Sequence, residues 1–126
     1  MRHNFTKYFL FLPSLFYYSL IFYLSSQSYQ VNVDIFFLDK VIHFVEFGIL
    51  GFLLSIGFFA HSISLKNKFF FVLIIGSVLA VLDEIHQVFV PLRVMDPLDL
   101  AADVLGVCLG FFAFNYFYKK NKWLPF

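Results

Sequence analysis

One stretch of the chain decides the fold: Phe69-Phe-Phe-Val-Leu-Ile-Ile-Gly-Ser-Val-Leu-Ala-Val-Leu-Asp-Glu-Ile-His-Gln-Val-Phe-Val90. It is long and apolar enough for a membrane helix, yet four polar residues follow one another closely near its end: Asp83, Glu84, His86 and Gln87. Two ionised carboxylates at the centre of a bilayer cost roughly 2.5–3.5 kcal/mol each. The eleven Phe, Val, Leu and Ile residues before Asp83 return about 0.3–0.6 kcal/mol apiece, so the balance for insertion is close to even. We therefore expect a membrane helix whose acidic residues have a use.

The composition of the whole chain also indicates a membrane protein. Of its 126 residues, 61% are hydrophobic and only 13% are charged, against about 25% charged residues in a typical soluble domain. The length predicts a single domain, residues 1–126. No nucleic-acid-binding motif and no glycine-rich phosphate loop occurs in the sequence, so nucleic acid is not an expected partner.

Four apolar runs separated by short polar links predict the architecture. It is an all-α integral membrane bundle with transmembrane helices at about 8–24, 41–60, 69–90 and 98–118. At 1.5 Å per residue each run spans about 30 Å, the thickness of the hydrocarbon core, although the first is marginal. Pro13 is expected to start or bend the first helix, and residues 29–38 are predicted to connect the first two helices.

The charges are unevenly distributed and predict an orientation. One side of the predicted bundle carries seven of the nine basic residues and no acid: Arg2, Lys7, Lys66, Lys68, Lys119, Lys120 and Lys122. The other side carries all eight acidic residues, together with Lys40 and Arg93. By the positive-inside rule, both termini are expected in the cytoplasm and the acidic side outside.

Helical periodicity gathers the polar residues into one constellation. At about 100° per residue, Asp39, His43 and Glu46 share a face of the second helix. The polar residues of the third helix share a face in the same way, and Asp99 and Asp103 lie on one stripe of the fourth with Gly106 and Gly110. Below an outer edge near Asp39, Val90 and Asp99, six ionisable groups are expected at a depth of roughly 6–10 Å: His43, Glu46, Asp83, Glu84, His86 and Asp103. The glycines are expected to let helices approach closely, and Gly48, Gly51 and Ser55 to face the first helix or another subunit.

Several roles fit this constellation. The groups can neutralise one another and fix the helix register, with no further function. Carboxylates at one depth cannot all stay ionised, so some must hold a proton or a cation must lie among them. His43 with Glu46, and Asp83 with His86, are pairs three residues apart that can ligate a divalent metal such as zinc. A proton relay or a pocket for a lipid headgroup needs the same residues.

Three segments resemble the VanZ-like family, in the right order. They are Asp39-Lys-Val-Ile-His-Phe-Val-Glu-Phe-Gly48, Leu82-Asp-Glu-Ile-His-Gln-Val-Phe-Val-Pro-Leu-Arg93 and Asp99-Leu-Ala-Ala-Asp-Val-Leu-Gly106, followed by Gly110. Phe22-Tyr-Leu-Ser-Ser-Gln27 after the first helix fits as well. Where the family commonly has Pro-Gly-Arg in the turn before the fourth helix, this chain has Leu92 in place of the glycine.

The resemblance implies a small multi-pass protein of the bacterial cytoplasmic (inner) membrane. The namesake of the family is linked to resistance against teicoplanin, a lipid-tailed glycopeptide that targets cell-wall precursors, and the resemblance implies no established reaction. Carried over by position, the motif residues of the family are Asp39, Lys40, His43, Glu46, Asp83, Glu84, His86, Gln87, Arg93, Asp99 and Asp103.

Three functional hypotheses follow, with membrane lipids as partners in each. The first is an outward-facing polar pocket that binds a lipid headgroup, a lipid-linked cell-wall precursor or a lipoglycopeptide, with Arg93 contacting anionic groups at the rim. The second is an intramembrane hydrolase or transferase in which a metal or acid/base groups act on a lipid-linked substrate. The third, a proton or ion pathway, is disfavoured because the inner halves of the helices carry no relay. Four short helices enclose little space, which leaves room for a homodimer.

Overall fold

The computed structural model describes residues 6–28 and 35–121, and no strand occurs within these two ranges. Its helices are α1 (Leu12–Ser25), α2 (Ile35–Phe59), α3 (Leu65–Val88) and α4 (Pro97–Asn121). A 3₁₀ turn, Phe9–Phe11, precedes α1, so the first apolar segment runs from Thr6 to Ser25. All four segments are long and apolar enough to cross a membrane, which confirms the predicted all-α membrane bundle.

The helices extend further into polar sequence than hydropathy alone predicts. The predicted connector 29–38 is wrong over its last residues, because α2 already begins at Ile35 and includes Lys40; residues 29–34 lie outside the described ranges. The third helix begins at Leu65, where the Ser64 side chain accepts a hydrogen bond from the Asn67 backbone N–H at 3.2 Å. Pro13 lies in the first turn of α1 and starts the helix.

Ring contacts show that neighbouring helices run in opposite directions. Near the start of the described chain, Phe11 packs on Phe58 close to the end of α2, with ring centroids 5.0 Å apart. Phe58 in turn stacks on Phe71 near the start of α3, and Phe69 contacts Phe112 in the second half of α4. The bundle is therefore up-down, with α1's end, α2's start, α3's end and α4's start meeting at the opposite end.

The two ends of the bundle differ in charge, as the sequence predicts. The end that we call the basic end carries Lys7, Lys66, Lys68, Lys119 and Lys120; Arg2 and Lys122 lie outside the described residues. The other end, which we call the acidic end, carries Asp39, Asp83, Glu84, Asp96, Asp99 and Asp103 with Lys40 and Arg93. Between them the buried core is apolar and rich in phenylalanine, including Phe47, Phe111 and Phe114.

The most extensive helix contact joins α2 and α4, and it depends on two glycines of α4. A β-carbon added at Gly110 would overlap the Gly48 carbonyl oxygen and lie 2.7 Å from the Phe52 backbone nitrogen. One added at Gly106 would overlap the Phe44 carbonyl oxygen. The two backbones thus touch directly, which confirms the expectation that the glycines permit close approach.

The prediction for the glycine face of α2 is wrong. Gly48 and Gly51 face α4 and not α1: a β-carbon added at Gly51 would lie 2.5 Å from the Val107 carbonyl oxygen. Ser55 is buried and donates a hydrogen bond to the Gly51 carbonyl oxygen at 2.7 Å. Eight residues turn a helix by about 80° beyond two full turns, so Gly51 lies next to His43 around α2 and not opposite it. One neighbouring helix covers both.

We expect Gly110→Ala to destabilise the bundle by about 1–3 kcal/mol, because the added methyl group overlaps backbone atoms that cannot swing away. The control is Gly48→Ala, whose added β-carbon lies 3.6 Å from the Gly106 carbonyl oxygen, an ordinary contact. Both changes raise helix propensity equally, so their difference isolates the overlap. Thermal unfolding in detergent, followed by circular dichroism, measures it, and equal melting temperatures for the two variants would contradict the proposed packing.

Candidate functional site at the acidic end

The outer layer of the acidic end is an ion-pair network around Lys40. The Lys40 ammonium lies 2.6 Å from Asp96 Oδ2 and 2.7 Å from Asp99 Oδ1. Asp96 directly precedes Pro97 and caps α4, because its Oδ1 accepts a hydrogen bond from the Leu98 backbone N–H at 2.8 Å. Lys40 thereby joins the start of α2 to the start of α4.

One helical turn further in, His43 bridges two aspartates of α4. His43 Nδ1 lies 2.9 Å from Asp103 Oδ1, and His43 Nε2 lies 4.0 Å from Asp99 Oδ2. His43 and Asp103 are buried, with 3% and 0% of their surface exposed. Asp103 is four residues after Asp99 on the same face of α4, which is the stripe predicted from the sequence. The helical phase argument is thus correct for these residues.

The third helix contributes two fully buried carboxyl groups. Glu84 and Asp83 are 0% and 1% exposed. Glu84 Oε2 accepts a hydrogen bond from the Asp96 backbone N–H at 3.0 Å, which ties the end of α3 to the turn before α4. Among the described residues, Glu84 Oε1, Asp83 Oδ1 and Asp103 Oδ2 are buried without a hydrogen-bond partner. Three carboxylate oxygens therefore remain available as acceptors inside the bundle.

Two serines of α1's end complete the polar contacts of α3. Ser25 Oγ accepts a hydrogen bond from Gln87 Nε2 at 3.1 Å, and Ser26 Oγ lies 2.8 Å from His86 Nε2. The His86 ring also stacks on Phe22, with ring centroids 3.9 Å apart. Ser25 is the last residue of α1 and is buried. His86 thus contacts α1 and not the cluster around His43.

At the rim, Arg93 Nη1 lies 3.8 Å from Asp39 Oδ1, so the turn between α3 and α4 is also tied to α2. Leu92, the residue before it, has a φ of 65°, in the left-handed region that favours glycine. This geometry accounts for the glycine that the resemblance leads one to expect at this position. A leucine there costs about 1–2 kcal/mol.

Two groups of side chains have the composition and spacing to hold a metal ion. His43, Glu84 and Asp103, all buried, each offer one ligand atom, and these atoms lie within 4.8 Å of one another. Asp39, His43 and Asp99 form the second group. Of the four ligands named from the sequence (His43, Glu46, Asp83 and His86), only His43 belongs to either group found among the described residues. Glu46 is half-buried, and the structure joins residues of different helices where the sequence suggested neighbours on one helix.

An apolar cleft lies between α2 and α4. It has a volume of about 340 Å³ and begins at Phe44, the residue after His43. Its lining is apolar and includes two glycines. The lining residues are Phe44, Val45, Gly48, Ile49, Phe52, Leu109, Gly110 and Ala113. The polar cluster and the apolar cleft thus both lie along α2 and α4.

Asp96 was missed as a site residue, although Asp-Pro at a helix start is a recognisable sequence signal. The hydrogen bond from Lys40 holds the pKa of the Asp96 carboxyl below its ordinary value. A lowered carboxyl pKa stabilises the fold above the ordinary pKa, and this contribution is lost as the pH falls through the lowered one.

We therefore expect Asp96→Asn to melt at a lower temperature than the wild type at neutral pH. The loss should not exceed about 1 kcal/mol, because Asp96 is 27% exposed and solvent screens the pair. Asparagine keeps the cap to Leu98, so the charge alone is removed. The melting temperatures of the wild type and Asp96→Asn, measured at successively lower pH, should converge as the pH falls below about 3.9. A difference in melting temperature that does not change with pH would contradict the role of the ion pair.

The comparisons with known proteins identify a family for this chain. No curated protein and no solved structure gives a significant match to the chain. A family model described as VanZ/LLP1 matches residues 2–118, which include α1 to α3, most of α4 and every residue of the acidic end. The resemblance seen in the three sequence motifs is therefore confirmed, and the chain belongs to the VanZ/LLP1 family.

Proposed function

We propose that this membrane protein binds an amphiphile at the bacterial cell envelope, with the polar head at the acidic end and the tail in the cleft between α2 and α4. Lipid-linked cell-wall precursors and lipoglycopeptides are amphiphiles of this class. Binding of this kind would contribute to resistance against teicoplanin-type glycopeptides. The observation that carries the proposal is that a buried polar cluster and an apolar cleft lie along the same two helices, with Phe44 of the cleft directly after His43 of the cluster.

The cleft suits the apolar part of such a ligand. Its volume of about 340 Å³ falls within the range of small-molecule sites, about 300–1,000 Å³. Two of the glycines between α2 and α4 line the cleft and add no side chain to it, and two phenylalanines also line it. A hydrocarbon chain that moves from the lipid into this cleft would gain close packing against protein atoms but no hydrophobic transfer energy, because lipid is equally apolar. The cleft would therefore select a ligand by its shape.

The chemistry of the cluster indicates the polar part. Its buried oxygens without partners are carboxylate acceptors, so the matching head carries hydrogen-bond donors such as an ammonium, amide or hydroxyl group. Arg93, at the rim, would contact an anionic group of the same molecule, as guanidinium groups do with phosphate and carboxylate. A zwitterionic or mixed head therefore fits better than a purely anionic one.

Orientation is part of the proposal, since the ligand must be reached from outside the cell. The lysines of the basic end predict that this end, and with it both termini, lies in the cytoplasm. Fusing green fluorescent protein or alkaline phosphatase to the C-terminus tests this: the first should be fluorescent and the second inactive. An active phosphatase fusion would show that the orientation is the reverse of the proposed one, and it would exclude an outward-facing site.

We expect expression of the wild-type chain to raise the minimum inhibitory concentration of teicoplanin in a susceptible host above that of an empty vector. Ala113→Leu, which fills the cleft, and Glu84→Gln, which removes a cluster carboxylate, should return it towards the empty-vector value. Ala101→Leu is the matched control, because Ala101 lies on the exposed face of α4 outside the cleft.

All variants are compared at equal membrane abundance, measured by immunoblotting, so that poor folding is not mistaken for lost function. A wild-type chain that protects no better than the empty vector would refute the resistance role. Full protection by Ala113→Leu would show that the cleft takes no part in it.

A second candidate function is an intramembrane hydrolase or transferase acting on a lipid-linked substrate. The hydrogen bond between His43 and Asp103 favours it, because a carboxylate that orients a histidine is a common feature of general-base catalysis. Incubating reconstituted protein with a lipid-linked precursor and resolving the products by mass spectrometry tests this function. A product that forms equally with wild type and His43→Gln would count against it.

A further inference from the structure

We propose that His43, Glu84 and Asp103 form a binding site for one divalent transition-metal ion of the Zn²⁺ or Mn²⁺ class. The site joins α2, α3 and α4 at the centre of the acidic end. It does not depend on the proposed ligand or on any reaction, because it is tested by metal content alone.

The geometry supports a shared ion. The three ligand atoms come from three different helices and lie within 4.8 Å of one another. Ligand atoms around a tetrahedral zinc ion, at about 2.0–2.2 Å from the metal, are separated by about 3.4 Å. Closing the site therefore requires movements of about 1.4 Å at most, which side-chain torsions supply without moving a helix.

The unpartnered oxygens are an independent reason to expect a cation. Glu84 and Asp103 are 0% exposed, and each has one carboxylate oxygen without a hydrogen-bond partner among the described residues. Leaving a buried acceptor unpaired costs about 1–3 kcal/mol, and more when the group is charged. Coordination to a metal ion would satisfy both oxygens and remove this cost.

The charges around the site lead to the same conclusion. Asp96 and Asp99 lie beside Lys40, and Asp39 lies near Arg93, so the outer layer has its own cations. Within residues 6–28 and 35–121, no lysine or arginine forms an ion pair with Glu84 or Asp103, whereas His43 Nδ1 lies 2.9 Å from Asp103 Oδ1. As metal ligands, the two carboxylates and the neutral imidazole would carry a charge of −2, which one divalent cation would balance.

The ligand set selects the class of metal. Imidazole nitrogen favours zinc, iron and similar ions over magnesium and calcium, while carboxylates suit manganese and zinc. Three protein ligands would leave at least one coordination position open, as in catalytic zinc sites. A polar group of an incoming molecule or a water could occupy that position.

The test uses the full chain purified in detergent and loaded separately with ZnCl₂ or MnCl₂. After excess ion is removed over a desalting column, elemental mass spectrometry should find one ion per chain. Glu84→Gln and Asp103→Asn should each lower the affinity at least about tenfold. Glu46→Gln, which alters a carboxyl group of α2 outside both metal-compatible groups, should retain the ion. Circular dichroism establishes that each variant is folded.

A spectroscopic measurement distinguishes a bound metal from a merely stabilising cluster. Pulsed electron paramagnetic resonance of the Mn²⁺-loaded protein should show nitrogen coupling from the His43 imidazole, which His43→Gln abolishes. A wild-type chain that binds neither ion would overturn the proposal and leave proton sharing as the explanation. Loss of the ion in Asp39→Asn but not in Glu84→Gln would also overturn it, because the ion would then lie in the second group.

Discussion

The arrangement of the acidic end depends on the direct contact of two helix backbones, α2 and α4. Gly106 and Gly110 allow this contact because no side chain stands between the helices. With the axes this close, short side chains such as Asp103 reach across to His43, and Lys40 reaches two acids at the start of α4. A larger residue in either glycine position would separate the polar groups as well as the helices. The helix packing in the apolar middle of the bundle therefore determines the distances between the polar groups at the acidic end.

Separate cations neutralise the outer layer of the acidic end but not the inner one. The outer carboxylates are paired with Lys40 and Arg93. The inner carboxylates lie where ionised groups are expensive, and three of their oxygens lack partners among the described residues. Apolar residues of similar size in place of these inner carboxylates would often leave a fold as stable or make it more stable. The inner layer is thus the region from which functional hypotheses follow most directly.

Hydropathy and helical phase predicted the four helices and the polar faces that carry His43 and Asp103, because both depend on local sequence. They did not predict which helix covers Gly51, since that depends on how α2 rotates against α4. They also placed the candidate metal ligands as pairs within one helix, whereas the structure joins His43 to residues of two other helices. Ser25 and Ser26 were unpredictable for a similar reason: a serine at the end of a helix looks the same in sequence whether it meets water or Gln87.

The turn between α3 and α4 has a consequence for how the acidic end meets its surroundings. Phe89, Leu92 and Val94 are 79%, 70% and 80% exposed, whereas turns that face water are usually polar. Apolar tips of this kind favour the headgroup region over bulk water, so the turn is suited to lie at the membrane surface. Molecules that already lie in the membrane leaflet at this end would reach the cluster without crossing an aqueous layer. Access from the side, through the lipid, is the route that this turn favours.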